Sequence, residues 1–292
     1  MARASTRSER AHHVEILLIS FAALLLEISY TRIISFKLFY YYTYLVIGLA
    51  LLGIGTGGVL VTVSSRIRRT ATDTILLVGM LAGAVSIAAG YLVVSRTPIS
   101  TLLIWSYGTA GSVRNLAALV VVCLALFASF ISVGLMIATI LGRGGERIGS
   151  LYFADLLGGA LACVVAVGLL DSVGAPATIF LAGTVLALGG ARVAWNTRRA
   201  LAPVGVLLGV LLAGVVAVPS VLPDPHVDTF KNQPAASSYS RWNAVFRIDA
   251  SLLPDRLLLL HDGSWARPST GGMAPSAPWG GSTPTSDRFR SR

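Results

Sequence analysis

The sequence predicts an all-α polytopic membrane protein of about seven spanning helices, followed by a short β-hairpin and a disordered tail. Two observations predict this class. Hydrophobic residues make up 54% of the 292 residues and charged residues only 12%, whereas soluble globular domains carry about 25% charged residues. The apolar residues also gather into runs of about 20, the length that crosses the hydrocarbon core of a bilayer.

Seven apolar runs have the length and composition of spanning helices. They are Val14–Ile34, Leu38–Val63, Thr74–Val94, Leu116–Leu141, Ser150–Leu170, Pro176–Trp195 and Leu201–Val218. Residues 97–113 lie between the third and fourth runs and contain Gly108 and Gly111. Because this stretch is too short and too rich in glycine to span, we expect a re-entrant or interfacial segment.

The net charge of +10 comes almost entirely from arginines. These flank the apolar runs, so we interpret them as topology signals of a multi-pass cell-membrane protein and expect no nucleic-acid partner. With seven spans, the basic residues of 3–10, 66–69, 143–147 and 198–199 share one side, which we expect to be the cytoplasm. The N-terminus is then cytoplasmic and residues from 220 onward are extracytoplasmic. An eighth span at residues 97–113 is the alternative.

Composition divides the chain into four parts. Residues 1–13 form a basic flank, 14–219 the transmembrane domain, 220–263 a proline-containing linker with a β-hairpin, and 264–292 a tail rich in Gly, Pro, Ser and Arg. We expect the tail to be disordered because it has too little apolar surface to offset chain entropy. Ser240–Ala250 predicts one strand and Leu257–Leu260 its partner.

Three ionisable residues lie inside predicted helices: Glu27 and Arg32 in the first, and Asp155 in the fifth. A charge at the bilayer centre costs about 2.5–3.5 kcal/mol, so each needs a partner or a function. Arg32 can extend to the headgroups, and Asp155 can pair with Arg66 or Arg147. Three interpretations stay open: the three groups join helices through polar contacts, they form a cation or proton site in the bundle, or they simply lie at the membrane interface.

No pattern of metal ligands, catalytic triad or cofactor loop emerges from the sequence. Cys123 and Cys163 lie within apolar runs, and the four histidines lack the spacing of a ligand set. The glycines of residues 53–58 also lie in an apolar run, with no preceding strand and no following lysine. They predict close packing of two helices rather than a phosphate-binding loop.

Three segments resemble the membrane-embedded spermidine synthase-like proteins. Residues 23–35 read ALLLEISYTRIIS and include Glu27 and Arg32; residues 148–160 read IGSLYFADLLGGA and include Asp155. Residues 240–249 read SRWNAVFRID and include Trp242, Asn243, Arg247 and Asp249, similar to the strand that opens the aminopropyltransferase-like part of that family. The resemblance extends from about residue 14 to about residue 263.

The resemblance implies a membrane domain followed by a Rossmann-like domain that binds decarboxylated S-adenosylmethionine at a Gly-rich loop and deprotonates an amine with an acidic residue. The chain departs from this pattern after Gly263, where neither loop follows. We therefore assign no catalytic residue and no cofactor, and expect a truncated or frameshifted, non-catalytic member that binds or anchors a partner. The alternatives are a small cation or polyamine transporter, or a membrane scaffold.

Overall fold

A computed structural model of the chain describes residues 12–228, 231, 239–252, 257–262 and 264–265. These residues include seven helices that are long and apolar enough to cross a membrane. They are α1 (His13–Lys37), α2 (Thr43–Val63), α4 (Thr72–Arg96), α6 (Ala110–Gly142), α7 (Ile148–Ser172), α8 (Gly174–Thr197) and α9 (Ala202–Ala217). The fold class is therefore confirmed, and the protein is a multi-pass membrane protein.

Helix α1 lies at the centre of the bundle. It contacts α2, α6, α7 and α8, while α4 packs against α6 and α8, α2 mainly against α6, and α9 mainly against α8. Apolar side chains of α1 such as Ile16, Leu25 and Ile33 are fully buried, whereas α2, α7 and α9 leave most of their apolar surface outward. This distribution suits a bundle whose outer helices face lipid.

Two short helices lie in the connections: α3 (Ser65–Arg69) and α5 (Thr101–Ile104). Between α4 and α6, residues 97–109 contain only the four-residue helix α5, which is far too short to cross a membrane. The interpretation as a non-spanning segment is therefore confirmed for residues 97–109, whereas residues 110–113 form the first turn of the spanning helix α6. Helix α1 continues past the predicted end at Ile34 to Lys37, whose side chain donates hydrogen bonds to two backbone carbonyls.

The bundle has two chemically different ends. We call one the basic end, where α3, the end of α6 and the start of α7 carry Arg66, Arg143 and Arg147. We call the other the sheet end, where α1 and α4 finish and the strands lie. The described basic loops thus share one end, as the seven-span arrangement requires.

Four strands form an antiparallel sheet in the order β1 (Tyr239–Trp242), β2 (Arg247–Leu252), β3 (Leu257–His261) and β4 (Ser264–Trp265). The predicted β2–β3 pairing is confirmed, with Asp249 opposite Leu260. The prediction of one strand over Ser240–Ala250 is wrong. The chain reverses there because the Asn243 side chain accepts a hydrogen bond from Val245 N, a local contact that favours a turn. The expected disordered tail lies outside the described residues, apart from β4.

Helices α2 and α6 meet at glycines. A Cβ atom on Gly134 would collide with the backbone of Ile54, and one on Gly57 would collide with the backbone of Leu135. The prediction that the glycines of residues 53–58 allow close helix packing is confirmed at Gly57 and also at Gly53, which lies against Phe130. Gly55 has no neighbour within 4 Å, so it does not serve the contact.

We predict that Gly134→Leu lowers the thermal stability of the detergent-solubilised protein, because overpacking a close contact costs about 1–3 kcal/mol. Gly55→Leu is the matched control, since its new side chain meets open space. Thermal unfolding followed by tryptophan fluorescence measures both. Equal midpoints for the two variants would contradict the observed α2–α6 interface.

Candidate functional site

Charged side chains converge at the sheet end of the bundle. Four cations lie there with four aspartates: Arg32, Lys37, Lys231, Arg247, Asp224, Asp228, Asp249 and Asp262. Most of these side chains are buried, although Asp224 is largely exposed. The formal charges of the eight groups cancel, which lets them lie together away from water. We call these eight residues the charged cluster.

Lys37 ties the ends of two helices together. Its side chain is fully buried, and Nζ donates hydrogen bonds to the carbonyl oxygens of Thr97 at 2.7 Å and His226 at 2.8 Å. Thr97 follows the last residue of α4, where helix carbonyls lack intrahelical partners. A cation at that position also interacts favourably with the negative end of the helix dipole. Lys37 thus completes the C-terminus of α4.

Lys231 does the same for α1. Its Nζ donates to the carbonyl oxygens of Ser35 at 2.8 Å and Phe36 at 2.6 Å, in the last turn of that helix. Its Nζ also lies 5.3 Å from the centre of the Phe39 ring, within cation–π distance. Burial lowers the pKa of Lys231 to about 8, against the opposing attraction of Asp262 and Asp228. Carbonyls at the end of the first spanning helix are therefore satisfied by Lys231, a residue that follows the seventh spanning helix.

Asp228 holds the non-spanning segment. Its buried carboxylate accepts hydrogen bonds from the backbone N–H of Thr101, at 2.8 Å, and from the hydroxyl of the same residue. Thr101 begins α5, so the carboxylate satisfies a donor at the start of that helix. The backbone N–H of Asp228 in turn donates to the carbonyl of Lys37 at 2.8 Å. Residues 226–228 thus join the ends of α1, α4 and α5.

Arg247 organises the sheet. Its guanidinium is 4% exposed and forms a two-point pair with the Asp224 carboxylate, at 3.1 and 3.2 Å. Its Nε donates to Ser240 Oγ at 2.8 Å and to Asp249 Oδ1 at 3.1 Å. The guanidinium also lies 5.2 Å from the centre of the Trp242 ring, an arrangement that adds cation–π attraction. Every part of this buried cation has a partner, as burial of a charge requires.

Arg32 joins α1 to the sheet. Its terminal nitrogen lies 3.1 and 3.2 Å from the two carboxylate oxygens of Asp262, and both side chains are mostly buried. Asp262 also accepts a hydrogen bond from the backbone N–H of Arg247 at 2.9 Å. Arg32 therefore points into the protein, and the expectation that it extends to the headgroups is wrong, because a carboxylate 230 residues away in sequence lies within reach.

The other residues of the third motif have structural neighbours. Trp242 packs edge to face against Phe36 of α1, with ring centres 5.0 Å apart, and against Gly174 at the start of α8. Asn243 forms the turn between β1 and β2. Asp249 is buried, and its second carboxylate oxygen has no hydrogen-bond partner. The described contacts of the third motif, residues 240–249, therefore mainly pack the sheet against the helical bundle.

The structure does not bring Glu27 and Asp155 together through any contact within its described parts. Asp155 accepts a hydrogen bond from the Ser20 hydroxyl near the basic end, and the expected pairing with Arg66 or Arg147 is not seen among the ion pairs of the described residues. Glu27 lies partly buried in α1 and makes no hydrogen bond or ion pair with any described residue. Sequence reasoning also missed Glu15, which pairs with Arg192 at the basic end.

Sequence reasoning missed both lysines of the charged cluster. Lys37 and Lys231 are the only two lysines in the chain, among 23 basic residues. That bias was the available signal, because a flexible amine with three donors can satisfy several carbonyls at once. Among the described residues, no group of three His, Cys, Asp or Glu side chains could hold a metal ion. The chain gives no significant match to protein-family models, curated proteins or solved structures.

We predict that the thermal stability of the wild-type protein, relative to that of Lys231→Met, increases with pH. The folded pKa of about 8 lies below the ordinary lysine value of 10.5, so between these values the unfolded chain holds the proton more tightly. Unfolding therefore becomes less favourable as pH rises through this window. The melting temperature of the wild type minus that of Lys231→Met should increase from pH 7.5 to 10. A difference that falls with pH would contradict the assigned burial.

Proposed function

We propose that this chain is the membrane-embedded domain of a spermidine synthase-like protein, in which the helical bundle anchors the β-sheet segment at the membrane surface. The observation that carries the proposal is the Arg32–Asp262 pair, which links the first spanning helix to the sheet. An anchor needs contacts that fix the position of what it holds, and a buried ion pair with directional hydrogen bonds provides them.

The three motif segments are connected through side-chain contacts, which supports one shared role. Asp155 joins α7 to α1 through Ser20. Arg32 then joins α1 to Asp262, which accepts a hydrogen bond from the backbone of Arg247 in β2. Each motif thus supplies one link in a chain of contacts from the basic end to the sheet. Motif segments with unrelated roles would not need to be connected to one another by side-chain contacts.

The distribution of basic residues supports an orientation. The basic end exposes most of its arginines, and short cytoplasmic loops are enriched in Lys and Arg. The sheet end balances its cations with aspartates. We therefore propose that the basic end faces the cytoplasm and that the sheet lies on the opposite side of the membrane.

Breaking the Arg32–Asp262 pair should release the sheet. We predict that Arg32→Gln and Asp262→Asn each accelerate chymotrypsin cleavage within residues 239–262 of the detergent-solubilised protein, because removal of one partner from a buried pair costs roughly 3–5 kcal/mol. Exchange of the two charges, Arg32→Asp with Asp262→Arg, should restore part of the resistance. Gel analysis with mass spectrometry of the fragments measures the cleavage rate.

Arg96→Gln is the matched control for this experiment. Arg96 ends α4 at the same end of the bundle and forms no ion pair with the described residues. Its substitution changes the net charge as Arg32→Gln does, but should leave the cleavage rate near that of the wild type. Anchoring through Arg32 is contradicted if all three single variants are cleaved at the same rate.

Glu27 supports a second candidate, transport of a proton or small cation. Its carboxyl lies about 21 Å along α1 from His13, at 1.5 Å per residue, and therefore well inside the hydrocarbon layer. An ionisable side chain at this depth, with no partner in the part of the chain that the structure describes, is typical of a functional position. Asp155 does not share this property, because Ser20 satisfies it.

We predict that Glu27→Gln abolishes any cation uptake by the protein in proteoliposomes, while Asp155→Asn retains most of it. Asp155→Asn should instead lower the melting temperature, because its contact joins two helices. Putrescine and monovalent metal cations are the test substrates. Uptake that is unchanged in Glu27→Gln would exclude a transport role for this carboxyl.

A further inference from the structure

A cavity of about 240 Å³ lies between the sheet and the bundle. Its walls come from Tyr91 of α4, Pro176 and Ala177 of α8, Leu222 of the linker, and Ser240 and Trp242 of β1. Arg247 and Asp224 also line it, and Arg247 is the one cation among the lining residues. The cavity thus combines mostly apolar walls with a buried guanidinium, the composition of many small-molecule sites.

The two members of the Arg247–Asp224 pair have very different environments. The Arg247 side chain is 4% exposed, whereas the Asp224 side chain is 73% exposed. The guanidinium requires a planar two-oxygen partner because it is buried. Asp224 has no such requirement, since water solvates most of its carboxylate already. Another carboxylate could therefore replace Asp224 with no change in the charge of the pair.

A second positive feature adjoins the cavity. Helix α8 begins at Gly174, and no side chain caps its first turn. Val173, Pro176 and Ala177 from this turn line the cavity. The uncapped N-terminus of a long helix carries partial positive charge. The helix N-terminus therefore favours an anion, as the guanidinium of Arg247 does. The planar geometry that a carboxylate needs comes from the guanidinium alone.

We propose that this cavity binds a small organic monocarboxylate with an apolar or aromatic body. The ligand carboxylate takes the place of Asp224 on Arg247, and its body lies against Trp242, Leu222 and Pro176. Asp224 then acts as an internal competitor that neutralises Arg247 in the absence of ligand. This inference goes beyond the anchoring role, and it holds whether or not the sheet seats a further domain.

The rival occupant is an amine. Asp224 and Asp249 together outnumber Arg247, which favours a cation by charge alone. Asp249, however, directs one oxygen to Arg247 and Ser240 and does not line the cavity. Among the described residues that line the cavity, the carboxylate left for an amine is then Asp224, which already pairs with Arg247. Two ligands of matched size and opposite charge distinguish the two cases.

Thermal shift of the full chain in detergent tests the proposal, with benzoate as probe and benzylamine as its cationic counterpart. Benzoate should raise the melting temperature of the wild type, and benzylamine should not. Asp224→Asn should bind benzoate about tenfold more tightly, because a neutral amide holds the guanidinium less firmly than a carboxylate does. Ala177→Leu, which fills the cavity but retains every charge, should abolish the benzoate shift.

Each shift is measured against the same variant without ligand, so a change in the stability of a variant does not affect the comparison. The proposal is overturned if benzoate shifts neither the wild type nor Asp224→Asn. It is also overturned if benzylamine shifts the wild type and loses this effect in Asp224→Asn, a result that would assign the cavity to a cation. Equal benzoate shifts in Ala177→Leu and the wild type would place binding elsewhere.

Discussion

The structure depends on the requirement that the backbone carbonyls at the end of a buried helix find hydrogen-bond donors within the protein. At the end of α1 this requirement is met by Lys231, which donates to two carbonyls of the last turn. At the end of α4 it is met by Lys37. Lys37 belongs to the first spanning helix and Lys231 to the segment after the seventh. Their hydrogen bonds therefore connect the beginning and the end of the helical bundle at the sheet end. These contacts hold the linker that precedes the sheet against the ends of α1 and α4.

The two ends of the bundle use charge in different ways. The basic end exposes its arginines, so their effect is long-ranged, screened by salt and concerned with the orientation of the protein. The sheet end buries cations among aspartates at hydrogen-bond distance, so their effect is short-ranged and geometric. Buried ion pairs of this kind contribute little net stability but are strongly destabilising when one partner is lost. Arg247 and Arg32 therefore determine where the sheet lies more than how stable the bundle is.

The sequence was sufficient to predict the spans, because length and apolar composition are local properties. It also identified Glu27, Arg32 and Asp155, since an ionisable residue in an apolar run stands out against its neighbours. Their partners could not be predicted, because Arg32 meets a carboxylate 230 residues away and no local pattern encodes that distance. The break between β1 and β2 escaped prediction for the opposite reason. There, a side-chain contact of Asn243 to the backbone two residues on outweighs the alternation of apolar and polar residues.

Gly174 combines two of these features in one residue. It follows α7 after a single intervening residue, adopts a left-handed backbone with φ of +86°, and lies so close to Trp242 that a Cβ atom would collide with the ring. The turn between α7 and α8 is therefore also the surface against which β1 packs. This surface exists only after α7 and α8 have inserted as a hairpin and α1 has packed beside them. All three helices precede the strand segment in the chain, so every part of this surface is synthesised before the strand that packs on it.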